Sequence, residues 1–335
     1  MKFGLYYDLR NPNSARRSYQ QFYSQVLEQV AYAEQLGFHQ AWLSEHHFCA
    51  DGYTPSPMIW SAAIGAATAK LRVGTNLIVL PLHDPVRVAE DAAAVSLLTG
   101  GRFDLGVGGG YRAQEFHVFN RNIRHRPSLV EEGIAVIRAA WAESEFSFEG
   151  KRHHYENLQV VPAPETPPAL LMGGTSAPSI ARAARVADGF LATFDDHIPL
   201  YIDALVEAGK DPAAGRVVAG KWALIAEDPE REWARVGDQI LYQINDYIAA
   251  GSGGGIEPFT SPQQVLDNNL YVLWDGATAV REIVAMARRH PQIEQFKTWT
   301  LMPGEDVDRA TARLEYLAGA VIPEVTRQLA PIPIS

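Results

Sequence analysis

The 335 residues carry 29 Lys and Arg against 39 Asp and Glu, a formal net charge of −10, which argues against nucleic acid or an anionic membrane as partner because both would be repelled. At 47% hydrophobic and 20% charged the composition is that of an ordinary globular chain, and no apolar run approaches the roughly 20 residues a membrane helix needs. The single cysteine, Cys49, excludes an intramolecular disulfide and suits a reducing compartment. Because the N-terminus opens as a strand rather than as a charged head with an apolar core, the expected location is the cytoplasm. The run Arg121, Arg124, Arg126 reads as a solvated face.

Strand-like and helix-like segments alternate from the start. Phe3–Tyr7 predicts a first strand, followed by a helix over Tyr19–Leu36 that Gly37 stops. Gln40–Ser44 predicts the second strand, with a helix around Pro57–Ala69 returning the chain to a third strand, Leu71–Leu80, apolar enough to be buried on both faces. A helix over Val86–Leu98 precedes the fourth strand, Arg102–Gly106, and another covers roughly Ser128–Ala142. Ala169–Met172, Gly189–Thr193, Val217–Ile225 and Phe296–Met302 complete eight strands. Such alternation requires right-handed crossovers and a parallel sheet, and the strand count predicts a closed (β/α)8 TIM barrel forming one domain over 1–335. Two insertions depart from a minimal barrel. One is a hairpin over about 146–161, before the fifth strand; the other is longer, about 227–275, between the seventh and eighth. The second contains the glycine-rich run Gly251–Gly255, the most flexible stretch by composition.

Active sites of such barrels lie at the C-terminal ends of the strands. The second strand runs into Ser44-Glu45-His46-His47-Phe48, where alternation puts His46 on one face with Ser44 and Trp42, and Glu45 and His47 on the other. Adjacent histidines do not converge on a metal and no His-x-His or His-Glu-x-x-His pattern occurs, so no metal is expected. His46 reads as a single imidazole for proton transfer or hydrogen bonding. No motif around Cys49 supports a nucleophile. In the third strand the polar step Thr75-Asn76 interrupts an apolar run. After the fourth, Gly108-Gly109-Gly110 leave backbone open to a flat or phosphorylated ligand, although Ala113 replaces the last glycine of a dinucleotide fingerprint. The fifth leads through Gly173-Gly174 to Thr175, Ser176 and Ser179, hydroxyls at a helix start where free N–H groups and the helix dipole favour a phosphate.

These pieces together resemble the bacterial-luciferase-like flavin monooxygenases, over most of the chain from Met1 to about Pro323. The most specific stretches are Glu45-His46-His47-Phe48, Val73-Gly74-Thr75 with Val79-Leu80-Pro81, Asp84-Pro85-Val86-Arg87 and Gly100-Gly101-Arg102-Phe103, with Gly173-Gly174-Thr175-Ser176 and Val186-Ala187-Asp188-Gly189 adding to them. The resemblance implies a barrel that binds reduced FMN at its C-terminal rim, with His46 near the reacting edge of the flavin and a non-proline cis peptide at Asn76–Leu77 beneath the ring. It places the phosphate at Gly173, Gly174, Thr175, Ser176 and Ser179, reached also by Gly108, Gly109, Gly110, Tyr111 and Arg112; Glu45 and Thr75 complete the expected cofactor set. Two departures matter. Light-emitting luciferases carry a cysteine and then an arginine where this chain has Gly108 and Gly109, so light emission is not expected and Arg112 is the candidate replacement cation. The family often has a histidine before the proline after the third strand, where this chain has Asp84.

The function expected is a monooxygenase that takes reduced FMN from a separate flavin reductase, since the chain shows no nicotinamide-binding unit, and uses O2 to oxidise a small, apolar organic substrate. His46 handles protons as the catalytic residue, and the Gly251–Gly255 region is the segment expected to close over the site. A homodimer is expected from the resemblance. The nearest rival is a deazaflavin-dependent oxidoreductase performing hydride transfer; such relatives more often carry Asp-His after the second strand, whereas this chain has Glu45-His46-His47. A non-catalytic flavin-binding protein and a metal-dependent hydrolase are the readings from other classes. Tyr7, Trp60, Tyr111, Phe194 and Trp299 are the expected pocket aromatics.

Overall fold

The computed structural model describes residues 1–330 apart from Glu143 and Gly253; Gly253 of the glycine-rich run and the last five residues of the expected domain lie outside the described residues. In chain order the elements are β1 (Lys2–Tyr7), α1 (Tyr19–Gln35), β2 (Gln40–Leu43), α2 (Pro57–Ala67), β3 (Arg72–Thr75), β4 (Ile78–Val79), α3 (Pro85–Leu98), β5 (Phe103–Gly108), α4 (Ala113–Val118), α5 (Arg126–Ala142), β6 (Phe146–Glu149), β7 (His154–Leu158), β8 (Ala169–Gly173) and α6 (Ala177–Val186). There follow β9 (Gly189–Leu191), α7 (His197–Glu207), β10 (Val217–Gly220), β11 (Ala223–Ile225), α8 (Pro229–Tyr247), α9 (Pro262–Asp267), β12 (Val272–Trp274), α10 (Gly276–Arg289), β13 (Ile293–Trp299), α11 (Val307–Tyr316) and α12 (Ile322–Leu329).

Eight of these positions close a parallel barrel in the order β1-β2-β3-β5-β8-β9-β10-β13, with β3 pairing β5 and β13 pairing β1. The expected third strand is two segments, since the Asn76–Leu77 peptide is cis and only β4 resumes pairing with β5. Thr75 spans that join: its hydroxyl donates to Gly106 O at 2.7 Å and accepts from Gly106 N at 2.9 Å. The expected seventh strand also divides. β10 stays in the barrel, while β11 leaves it to pair with β12 of the long insertion. The hairpin insertion forms as an antiparallel pair, β6 with β7.

Strand alternation sorts side chains into two sets. Outward residues such as Phe3, Leu5, Val73 and Phe296 pack under the helices in the main core. Inward, Trp42 fills the barrel against Leu171, Leu191 and Val218, and a Cβ on Gly74 would sit 2.5 Å from its ring, so that glycine is what admits the indole. Below it, Gln40 Nε2 donates to Asp104 Oδ2 at 2.7 Å. A cavity of about 500 Å³ opens at this N-terminal mouth, lined by Arg72, Asp104, Arg216 and Glu294 among others. Its arginines are paired, Arg72 with Asp104 at 2.7 Å and Arg216 with Glu294 at 3.0 Å, and it lies at the end of the barrel that carries stability rather than chemistry. No helix among the described residues is long and apolar enough to cross a membrane.

Within the long insertion, α8 has a strongly one-sided apolar face, with Val236, Ile240 and Ile244 buried against Leu224, Val265, Tyr271 and Met302. Its C-terminal turn reaches the rim of the barrel. There Arg10, fully buried, pairs with Asp8 at 3.1 Å, Asp51 at 2.8 Å and Asp246 of α8 at 2.9 Å, while Arg112 pairs with the same Asp246 at 2.7 Å. Three carboxylates against two guanidiniums, each hydrogen-bonded, make burial of these charges tolerable.

Candidate active site

His46 lies three residues beyond the end of β2, on the inward face, where its backbone N–H donates to Thr54 O at 3.2 Å. The imidazole is buried and ringed by Tyr53, Tyr111 and Tyr247, with centroid separations of 4.8, 5.3 and 6.5 Å, all edge-on. Its Nδ1 lies 2.9 Å from Glu115 Oε1, which also accepts from the His47 backbone N–H at 2.9 Å. Since the carboxylate accepts, Nδ1 carries the proton and Nε2 presents its lone pair, 3.2 Å from the Tyr111 hydroxyl. Burial pushes the His46 pKa down, and the Glu115 hydrogen bond only partly opposes it, so the ring is a neutral base at neutral pH. The second oxygen of Glu115, also buried, has no partner among the described residues.

Glu45 and His47 face away from His46. Glu45 accepts from Val79 N at 2.5 Å and meets His83 Nε2 at 2.6 Å and His47 Nε2 at 2.9 Å. Burial raises its pKa, but these hydrogen bonds outweigh that and hold it at about 2. Asp84, where the family often has histidine, instead caps α3 by accepting from the Val86 and Arg87 N–H groups, and His83 one residue earlier supplies an imidazole to Glu45. Thus His47 and His83 converge on one carboxylate, with all three ligand-type atoms within 4.8 Å.

The floor of the site lies at the end of β3. Tyr6 donates from its hydroxyl to Asn76 O at 3.3 Å, and Leu77 projects over Gly108 and Gly173, where a Cβ on either would come within 2.6 Å of it. Thr75, by contrast, is fully buried in the wall and bonded to Gly106. Gly109 and Gly110 follow, the latter at φ 67, a conformation glycine adopts without cost. Across the rim, Gly174, Thr175, Ser176 and Ser179 stand at the N-terminus of α6, where the Ser179 hydroxyl accepts from Ser176 N at 3.1 Å in a capping box. Arg112 is turned to Asp246 and to Cys49 Sγ, 3.2 Å away, though its buried Nε has no partner among the described residues. Burial pushes the Cys49 thiol up to about 11, which disfavours the thiolate at neutral pH.

Three of the five expected pocket aromatics do not stand beside His46. Tyr7 points outward and donates to Gln29 Oε1 of α1 at 2.9 Å, because alternation from inward Tyr6 leaves it on the helix side. Trp60 packs against Tyr23 at 4.7 Å between helices. Phe194 is exposed beside His197. Tyr111 and Trp299 are at the site, Trp299 lying 4.2 Å from Tyr6 and 5.3 Å from Trp222. Glu115, Tyr53, Tyr247, His83 and the Arg10 cluster line the candidate site and the sequence did not mark them; Glu115, Tyr247 and His83 join it through contacts between distant segments.

The chain matches the luciferase-like monooxygenase family model over residues 1–290. It belongs to that family. The luciferase-like family accounts for the closed parallel sheet. Among curated relatives, the chain is 29% identical over 197 residues to an F420-dependent glucose-6-phosphate dehydrogenase from Amycolatopsis mediterranei, covering 56% of this chain and 59% of that one. It is 29% identical over 181 residues to the alkanal monooxygenase alpha chain of Photorhabdus luminescens, covering 54% and 48%. The chain therefore spans about half the length of the curated relatives it matches. Among solved structures, monooxygenase RslO1 from Streptomyces bottropensis superposes with a TM-score of 0.83 at 21% identity, over 96% of this chain and 99% of that one. Luciferase-like relatives thus include both monooxygenases and F420-dependent dehydrogenases.

Proposed function

We propose that the chain is a monooxygenase that takes reduced FMN from a separate reductase and, with O2, oxidises a small organic substrate. The observation that carries this reading is His46, a buried neutral imidazole whose tautomer Glu115 sets and whose Nε2 points among aromatic side chains at the catalytic rim. The residues present fit a flavin mononucleotide. Gly108 and Gly173 carry no side chain beside Leu77, the Ser176 and Ser179 hydroxyls stand at a helix N-terminus suited to phosphate, and Arg112 keeps an unpartnered buried N–H.

Bound reduced flavin supplies the electrons that activate oxygen. Of the chain's own groups, His46 accepts or returns a proton at Nε2, and Glu115 stabilises the imidazolium so formed. Tyr53, Tyr111 and Tyr247 limit water around that nitrogen. Anaerobic titration of the protein with reduced FMN, followed by admission of air in the presence of candidate substrates, tests the reading. Tight binding and substrate-dependent oxygen consumption support it; failure to bind reduced FMN removes it.

One observation favours a second reading. A buried imidazole backed by a buried carboxylate also suits removal of a hydroxyl proton as a hydride departs to a deazaflavin, the chemistry named for the F420-dependent relatives. Binding of F420 with no oxygen consumption selects it.

A further inference from the structure

Lys297 lies on the inner face of the barrel. On β13 the inward face carries Gln295, Lys297 and Trp299: Gln295 Nε2 donates to Gln40 Oε1 at 3.3 Å within the barrel, Trp299 stacks edge-on to Tyr6 at the catalytic end, and alternation puts Lys297 between them. Lys297 pairs in register with Gly4 on one side and Gly220 on the other. A Cβ on Gly220 would come within 2.9 Å of Lys297 Cγ, so that glycine leaves the path along which the stem crosses β10 to the second strand over, β9. There Nζ donates to Ala192 O at 3.3 Å, just past the C-terminal end of β9.

Among the described residues that carbonyl is its one hydrogen-bond partner, and no carboxylate lies within ion-pair reach of Nζ. Inside the barrel Gln295 is engaged with Gln40 and Trp42, Trp42, Leu171, Leu191, Val218 and Tyr6 form an apolar cluster, and burial alone pushes the amine down to about 7. Part of the side chain still faces space that water can enter. A lysine enclosed without a counter-charge is costly for a purely structural position, whereas an arriving anion would complete it.

We propose that Lys297 is a substrate-binding residue that receives the acidic oxygen of an apolar, ring-bearing substrate, a phenolate, enolate or carboxylate. The inference rests on the oxidoreductase reading for the location of the site but is independent of which flavin the chain binds. The amine takes a proton and pairs with the oxygen beside Ala192, past the C-terminal end of β9, and the apolar remainder of the molecule extends toward Trp222 and Trp299, whose rings lie 5.3 Å apart. Substrate and His46 then approach the reacting position from different strands, β13 and β2.

The test uses 4-nitrophenol, which is coloured only as the phenolate, at a pH below its own pKa. The purified full chain should bind it in the ionised form, and Lys297→Met should weaken that binding about tenfold or more, the loss expected for one charge-assisted hydrogen bond, while binding reduced FMN unchanged. Equal binding by both proteins, binding of the neutral phenol, or no binding overturns the proposal, as does a Lys297→Met protein that loses flavin but keeps the probe. Should the variant not fold, reductive methylation of the unmodified chain at neutral pH decides: the phenol protects Lys297 from formaldehyde and cyanoborohydride if it sits there, and leaves it reactive if it does not. A protein that binds no flavin yet ionises the probe separates this inference from the proposed function.

Discussion

Oε1 of Glu115 stands 2.9 Å from Nδ1 of His46, and through that contact a residue on α4 fixes the tautomer of a residue beyond β2. Replacing His46 with Ala removes the proton carrier without touching the glycine wall or the α6 N-terminus. Turnover should fall on the order of 10²–10⁴-fold, with reduced-flavin binding retained. Turnover equal to that of the unmodified chain would take His46 out of the mechanism.

Glu115 acts through His46, and its variant should show that in the pH profile. Burial lowers the His46 pKa and the Glu115 hydrogen bond raises it, so Glu115→Gln should lower it further. The acid limb of kcat/KM should then move to lower pH while the maximal rate falls, because an amide holds the ring less firmly and stabilises the imidazolium less. A fall in rate with an unmoved acid limb would point to a structural role alone.

The Glu45–His83 pair makes a prediction about stability. Glu45 is held at about 2, so its contribution is present above the unfolded carboxyl value near 4.3 and is lost as pH falls toward about 2. For His83 burial lowers the pKa but the Glu45 hydrogen bond and charge raise it overall, so its contribution is complete below the unfolded histidine value near 6.5 and fades as pH rises through the folded value. Glu45→Gln should therefore cost about 3–5 kcal/mol at mildly acidic pH. Denaturant titrations of both proteins across pH should show the gap greatest between roughly pH 4.5 and 6.5. A gap independent of pH would mean packing, not the ion pair, sets the cost.

Lys297 has the opposite sign. Its folded pKa of about 7 lies below the unfolded value near 10.4, so between those values the unfolded chain binds the extra proton and the native state gains stability as pH rises. Lys297→Met should melt higher than the unmodified protein at and below pH 7, and the advantage should shrink toward pH 10. A lysine comfortable in its charged state would show no such trend.

How much of this was legible in advance follows from the range of the interactions. The count of eight barrel strands, the hairpin and the inward face of His46 rest on periodicity within a few residues and are present, although the third and seventh strands divide and the eighth runs Ile293–Trp299 rather than the expected Phe296–Met302. The Asn76–Leu77 cis peptide came through family resemblance and is present. Glu115 and His83 could not be read, because each meets its partner across a strand gap, His46 to Glu115 spanning 69 positions. The expectation that adjacent histidines diverge holds for His46 and His47 but says nothing of His83, which arrives from the turn between β4 and α3. In the long insertion only the run Gly251–Gly255 was marked, as the most flexible stretch by composition, and the helix α8 over Pro229–Tyr247 that precedes it was not read.

The anchoring of α8 through Asp246 has a consequence for engineering. Insertions between the seventh and eighth strands invite exchange among relatives as modules that retune selectivity on a constant chassis. Here such a graft would strand Arg10 and Arg112, two guanidiniums that meet on one carboxylate of the insertion. A workable transplant must therefore carry its recipient arginines along with it, or supply an acid at the same turn. In this lineage the insertion and the loop after β1 are expected to change together.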